Sequence, residues 1–337
     1  MPDIRQSKQY ADYLSQTGWI VERINNTNYF IKKLPIIGSI LKIQRPEEIN
    51  FEEIERLRKK YRAFQIIIEP QLTSSFGSIH NLLYTHGYKL SKSPYLPTKT
   101  LRLDLTKTEQ KLFINLKKDA RYAVNKTVKL RTKETKNVEK FRKAWKKAVG
   151  YKRYVPPLSH LNALKSSFKE NCLLYYCTST VVQSGAIFLK AGNTAFGEAS
   201  SSVYYWQAFT NKEGRKLQLQ YKIVWEGILW AKKRGCKIFD FEGIYDERFP
   251  NKSWLGFTHF KKSFGGYEVS YPGTYTKTRL EVGQYLLGAK FFLRRLLFTG
   301  FAIGLCLNKD FPEPPKSNPI PPADPINVRV GVSKTLI

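Results

Sequence analysis

Residues 239–267 read FDFEGIYDERFPNKSWLGFTHFKKSFGGY, and they close an α/β unit. The run Lys237 to Phe241 is short, apolar and rich in β-formers, which predicts a strand. Just before it, Leu217, Tyr221, Val224, Ile228 and Leu229 recur at helical spacing. That helix ends in Lys232-Lys233-Arg234-Gly235, cations and a glycine where a helix C-terminus favours them. Beyond the strand, Asp240, Glu242, Asp246 and Glu247 gather with aromatic residues in a long loop. The C-terminal end of a parallel strand is where open α/β sheets bind ligands. Gly265-Gly266 reads as a tight turn.

Further back, Cys172 to Tyr176 and Val181 to Leu189 read as a hairpin, with Ala195 to Ser200 as a further strand. Near the N-terminus, Asp3 to Ser15 has an amphipathic helical pattern. Trp19 and Val21, then Tyr29 and Ile31, alternate on either side of Asn25-Asn26 as in a hairpin. Ser39 to Ile43 follows as a strand, Ile49 to Tyr61 as a surface helix and Phe64 to Ile68 as another strand. Helix, antiparallel strands, helix, strand is the order of a GNAT-type acyltransferase half, and it occurs twice. A chain of 337 residues also exceeds one ordinary core. The expected fold is therefore α/β (α+β), two tandem GNAT-like units at 1–98 and 99–278 with mixed sheets flanked by helices.

Between the halves, Thr100 to Leu105 alternates as a strand. Thr106-Lys107-Thr108-Glu109 offers a capping box for a helix through Leu112, Phe113 and Leu116. That helix continues or restarts through the basic stretch ARYAVNKTVKLRTKETK. Residues 279–308 form an expected C-terminal amphipathic helix. Its apolar run Tyr285 to Leu307 carries Lys290, Arg294 and Arg295 on one side, so it lies in a membrane interface or packs on the first unit. Residues 309–337 are a proline-rich tail, extended or disordered.

The chain has 57 Lys and Arg against 27 Asp and Glu, a formal charge of +30. An excess of that size points to a polyanion or an anionic membrane surface, although a generically basic proteome gives the same balance. The region from Lys107 to Arg153 is the densest, with 17 basic residues against 4 acidic. Cys172, Cys177, Cys236 and Cys306 fit neither a zinc spacing nor a CxxC pair, and the histidines are scattered. No metal or cofactor is expected. The N-terminus lacks the apolar stretch of a secretory signal, so a reducing cytoplasm is the expected location.

Asp240-Phe241-Glu242-Gly243-Ile244, followed by Gly256-Phe257-Thr258-His259-Phe260-Lys261-Lys262-Ser263-Phe264-Gly265-Gly266, resembles the signature of the FemABX peptidyltransferases. Leu103-Asp104-Leu105 with its helix and basic run also fits, as does Ala231 to Gly235 leading into the Asp240 strand. Together these cover most of the second half; the first half matches mainly by order of elements. The resemblance implies a donor aminoacyl-tRNA and an acceptor muropeptide, either lipid II or the UDP-linked precursor. It implies a place at or near the inner face of the plasma membrane, with Lys261 and Phe260 at the reacting centre; the sequence leaves the oligomeric state open, with a monomer favoured.

Moving an aminoacyl group from an ester to an amine needs a neutral amine and stabilisation of the ester oxyanion. Lys261 is the expected source of positive charge, against the bland alternative of one surface lysine among dozens. Asp240 and Glu242 share one strand face by alternation and are expected at the floor of the site, where one orients the amine or Asp240 only fixes the turn. Glu69, before Pro70, is a candidate acceptor contact by resemblance. Arg153 and Tyr154, with Lys152 and His160 nearby, occupy the region of other acceptor contacts in an altered pattern. Arg121, Lys126 and Lys129 are candidates for a phosphate track, with a solvated helix face as the alternative. Two rival readings remain: an acyl-coenzyme A-dependent GNAT enzyme, and a non-catalytic nucleic-acid or membrane-binding module. Asn211-Lys212-Glu213-Gly214-Arg215 comes nearest to a pyrophosphate turn but lacks the usual glycine spacing.

Overall fold

The computed structural model describes residues 3–35, 37–71, 76–151, 153–178, 182–191 and 201–278. The expected strand at Ala195 to Ser200, the helix at Tyr285 to Leu307 and the proline-rich tail lie outside the described residues.

The first sheet grows from local pattern. After a 3-10 turn at Ile4–Gln6 come helix α1 (Lys8–Ser15) and strands β1 (Ile20–Ile24) and β2 (Thr27–Leu34). Asn25 and Asn26 join the two strands at φ 46° and 65°, the left-handed pair that a two-residue hairpin turn requires. Strand β3 (Gly38–Gln44) follows, then helix α2 (Phe51–Tyr61), strand β4 (Ala63–Glu69), helix α3 (Phe76–Thr85) and strand β5 (Lys89–Leu90).

The second sheet begins with β6 (Lys99–Asp104), α4 (Glu109–Ile114), α5 (Lys118–Lys126), β7 (Arg131–Glu134), α6 (Val138–Val149) and α7 (Leu158–Phe168). Strands β8 (Cys172–Thr178), β9 (Val182–Ala191) and β10 (Ser202–Thr210) meander antiparallel. Helices α8 (Lys212–Lys216) and α9 (Leu219–Lys233) lead to β11 (Ile238–Gly243), which pairs parallel with β10. Helix α10 (Leu255–Lys262) and strands β12 (Tyr267–Ser270) and β13 (Tyr275–Thr278) finish the described chain.

The sheet orders are β1-β2-β3-β4-β13-β5 and β12-β6-β11-β10-β9-β8-β7. Three antiparallel strands, a helix and a parallel strand thus recur as β1-β2-β3-α2-β4 and β8-β9-β10-α9-β11. This is the tandem α/β acyltransferase architecture expected. One correction concerns the boundaries. Strand β13, within the expected second unit 99–278, pairs with both β4 and β5 in the first sheet. The N-terminal helix also crosses over: Ile4, Tyr10, Tyr13 and Leu14 share a core with Phe141, Trp145 and Leu164. The first sheet is therefore not completed by one continuous stretch of chain, whereas the second is built from β6 to β12 in unbroken succession.

Two local expectations change. Thr108, not Thr106, caps α4, its side chain accepting from Lys111 N, while Thr106 is bound by Asp104. The basic stretch after Lys126 leaves the helix: Thr127 Oγ1 folds back on the Ala123 carbonyl, and Arg131–Glu134 pair with β8 as edge strand β7.

Candidate active site

Strands β10 and β11 are in parallel register at Ser202–Ile238, Val203–Phe239 and Tyr204–Asp240, and there their pairing ends. Both continue past it, β10 to Thr210 and β11 to Gly243. Each is irregular at this point. The β10–β9 register shifts between Tyr205 and Gln207, inserting Trp206, and the β11–β6 register shifts between Asp240 and Gly243. The two strands therefore diverge into a wedge. In the first sheet the equivalent pair β3–β4 stays in register to its last residues, Gln44–Glu69. Only the second unit opens a gap between its parallel strands.

Lys261 sits beside this gap. Helix α10 presents it with 9% exposure, its Nζ donating to the Gly243 carbonyl at 2.6 Å. The ammonium lies 5.1 Å from the Phe257 ring centroid and 6.0 Å from that of Tyr205. Tyr205 in turn accepts from Gln220 Nε2 at 2.8 Å. Phe260 packs edge-on to Tyr221 at 4.8 Å and near Phe264, in the core that contains Phe241. Gly243 carries no side chain because Trp254 and Pro97 fill the space: a Cβ there would lie 2.6 Å from the Trp254 ring. The Gly265-Gly266 pair works similarly, since Gly266 at φ 96° runs against the Arg102 carbonyl.

Asp240 and Glu242 face the other side of the sheet. Asp240 lies opposite Arg102 and Tyr204, and its Oδ2 accepts from Arg102 Nε at 2.9 Å. Its Oδ1 accepts from Glu242 N at 2.8 Å, which fixes the turn that puts Glu242 at φ 60°. Glu242 is held by Arg5 Nη2 at 3.0 and 3.2 Å. Burial pushes the Glu242 carboxyl above its usual range; Arg5 opposes this, but neighbouring Asp240 and Asp3 add to it. Burial works against the Arg102 guanidinium, yet Asp240, Tyr271 and Tyr204 together outweigh it and raise its pKa. The expectation that Lys261 and these carboxylates meet in one cleft is corrected. Strand alternation separates them, and both acids are occupied by arginines.

Glu69 is corrected as well. It ends β4 at 1% exposure, and its carboxylate accepts from Gln44 Nε2, Leu96 N and Thr274 Oγ1 at 2.6 to 2.8 Å. A carboxylate so enclosed braces the first sheet instead of meeting an acceptor. Arg153 reaches the Ala208 carbonyl at 3.4 Å, on the part of β10 beyond its pairing with β11, and Tyr154 beside it is 45% exposed. Lys152 lies outside the described residues. Helix α5 buries Ala120, Ala123 and Val124 and leaves Arg121 partly exposed; Lys126 and Lys129 are exposed. Sequence reasoning missed Arg5, Arg102 and Tyr205, which become neighbours of the site only through tertiary pairing.

Among the described residues no group of three or more His, Cys, Asp or Glu could hold a metal ion, and no helix is long and apolar enough to cross a membrane.

Residues 182–282 match the FemAB family. No curated protein matches the chain. The fold is similar to the crystal structure of FemX, 15% identical, with a TM-score of 0.68 over 85% of this chain and 94% of that one. It is also similar to the C-terminal DUF2156 domain of a candidate lysylphosphatidylglycerol synthetase from Agrobacterium fabrum, 9% identical, with a TM-score of 0.55 over 88% of this chain and 93% of that one. The family match covers residues 182–282 of this chain, and the likeness to FemX is one of fold.

Proposed function

We propose that this acyltransferase moves an aminoacyl group from aminoacyl-tRNA to an amine on the stem peptide of a peptidoglycan precursor, lipid II or its UDP-linked counterpart, in the wedge between β10 and β11. The observation that carries this reading is the buried Lys261 ammonium at the point where the parallel strands separate.

The amine attacks the ester carbonyl, the carbonyl oxygen gains negative charge, and the tetrahedral centre collapses with loss of the tRNA ribose oxygen. Lys261 has three N–H donors. One holds the Gly243 carbonyl, and another is turned to the oxyanion. In a site shielded from water such a donor contributes roughly 3–4 kcal/mol to the transition state. Asp240 and Glu242, closed by Arg102 and Arg5, do not take the amine proton, which goes to the leaving ribose oxygen. Phe260 packs the helix that carries Lys261. Arg153 and Tyr154 border the acceptor side; Arg121, Lys126 and Lys129 contact tRNA phosphates.

An acyl-coenzyme A donor fits less well. Gly214, which lies within the short helix α8, is committed to packing: a Cβ there would lie 2.6 Å from the Gln183 carbonyl and from Thr210 Oγ1. The deciding experiment incubates the protein with charged tRNA mixtures and each acceptor form, then weighs the muropeptide. An added aminoacyl mass that depends on charged tRNA is expected; no added mass with any charged tRNA would remove this reading.

A further inference from the structure

The wedge is crossed by a cation on each face of the sheet. On the Phe241 face Lys261 spans it, from the Gly243 carbonyl of β11 to the Tyr205 ring of β10. On the opposite face Arg5 does the same, bonded to Glu242 of β11 while its guanidinium lies 5.4 Å over the Trp206 ring of β10. Glu242 and Trp206 each stand two residues past the last paired residues, Asp240 and Tyr204.

Arg5 is itself firmly held at 3% exposure. Its Nη1 and N donate to Asp3 Oδ1 at 3.0 and 2.9 Å, and its carbonyl accepts from Asn28 Nδ2 at 3.0 Å. Next to it, Ile4 N donates to Tyr204 OH, and the Gln6 side chain bonds Asn28 N and the Gln44 carbonyl. The first sheet thus anchors the arginine that reaches the tip of β11.

That tip needs an anchor. A glutamate at φ 60° is in a left-handed conformation that L residues rarely adopt and that persists only when its surroundings impose it. Asp240 holds its N–H, and Arg5 holds its carboxylate. The next residue is Gly243, whose carbonyl aims Lys261. Resting on the reading of the wedge as the transfer site, we infer that Arg5 is a positioning residue: it fixes the β11 tip against β10 and so sets the direction of the Lys261 ammonium. A lysine cannot replace it, because the planar fork that both bonds Glu242 and stacks on Trp206 has no counterpart in a point charge.

The test uses the full chain with Arg5→Lys and, as a version that removes both carboxylates paired with the arginine, Arg5→Met combined with Asp3→Asn and Glu242→Gln. Amide hydrogen exchange is measured beside transfer kinetics. Faster exchange at 242–245 is expected with the β2 and β3 amides unchanged, and kcat should fall on the order of 10- to 100-fold, as small misplacements of catalytic groups do, with KM altered by less than about threefold. Unchanged exchange at 242–245 in both variants would overturn the clamp. Faster exchange with intact kcat, or a rise in KM alone, would overturn the positioning role. If the unaltered protein transfers no aminoacyl group, the functional reading falls, and the exchange measurement still decides whether Arg5 holds the tip.

Discussion

Lys261 and Lys42 are both buried lysines, and their surroundings give them opposite uses. Lys261 keeps a carbonyl and two aromatic rings around its ammonium, an arrangement that favours the cation. Replacing it by methionine preserves the apolar stem, so thermal unfolding should change little while transfer falls on the order of 100- to 1,000-fold; turnover within a few-fold of the unaltered protein would remove its assigned role. Lys42 lies on β3 near the Trp19 ring, and burial lowers its pKa to about 7 against the pull of Glu69, with Arg5 adding to the decrease. The unfolded chain, with an ordinary lysine pKa near ~10.4, then binds more protons between those values. Stability attributable to this group should rise from pH 7 to 10, by up to about 1.4 kcal/mol per unit, and be lost as pH falls through 7. Denaturant titrations of Lys42→Met at pH 7, 8 and 9 should show a flatter slope; identical slopes would refute the assignment. Lys261 stands out as a candidate in the sequence because Phe-Lys and Phe-Gly-Gly lie close together in the chain. Arg5 was not, since its carboxylate partner is 237 positions away, and Glu69 was misread because its three donors come from distant segments.

Most helices and hairpins were legible, for local reasons. Asn25-Asn26 announces its turn, and Lys232 to Gly235 announce the end of α9. Strand β7 was not, because its four residues are highly polar and become a strand only by pairing with β8 at the sheet edge, where charged side chains discourage further pairing. Helix α9 shows how tertiary packing overrides helix propensity. Gly227 lies within it, and a Cβ there would come within 2.4 Å of the Phe188 ring, itself fully buried on β9. Alanine would gain about 1 kcal/mol of helix propensity. Overpacking a core costs about 1–3 kcal/mol, so Gly227→Ala should lower stability in a denaturant titration; a clear rise in midpoint would show that α9 is free to shift on the sheet.

At the scale of the molecule, a formal charge of +30 would make the proposed contact with tRNA an electrostatic matter. If the basic face of α5 follows a phosphate backbone, affinity should drop by about 10³ or more between 50 and 200 mM salt for six or more phosphate contacts. Lys126→Glu with Lys129→Glu should reduce that salt slope, and a flat response in the unaltered protein would count against the track. The two-unit architecture was legible because the same order of elements occurs twice, but the boundary was not. Strand exchange leaves no local mark, and Tyr275–Thr278 reads as an ordinary end of the second unit. A fragment of residues 1–98 should fail to give a cooperative unfolding transition, since it lacks the strand between β4 and β5; a cooperative transition would show the fragment to be self-sufficient. The same exchange orders events during translation. With β5 already outside the ribosome, the slot beside Ile68 stays vacant until Thr278 emerges, a delay of roughly 10–40 s at ordinary elongation rates. Throughout that interval the nascent N-terminal half carries two unpaired strand edges, which makes it a natural client for chaperones.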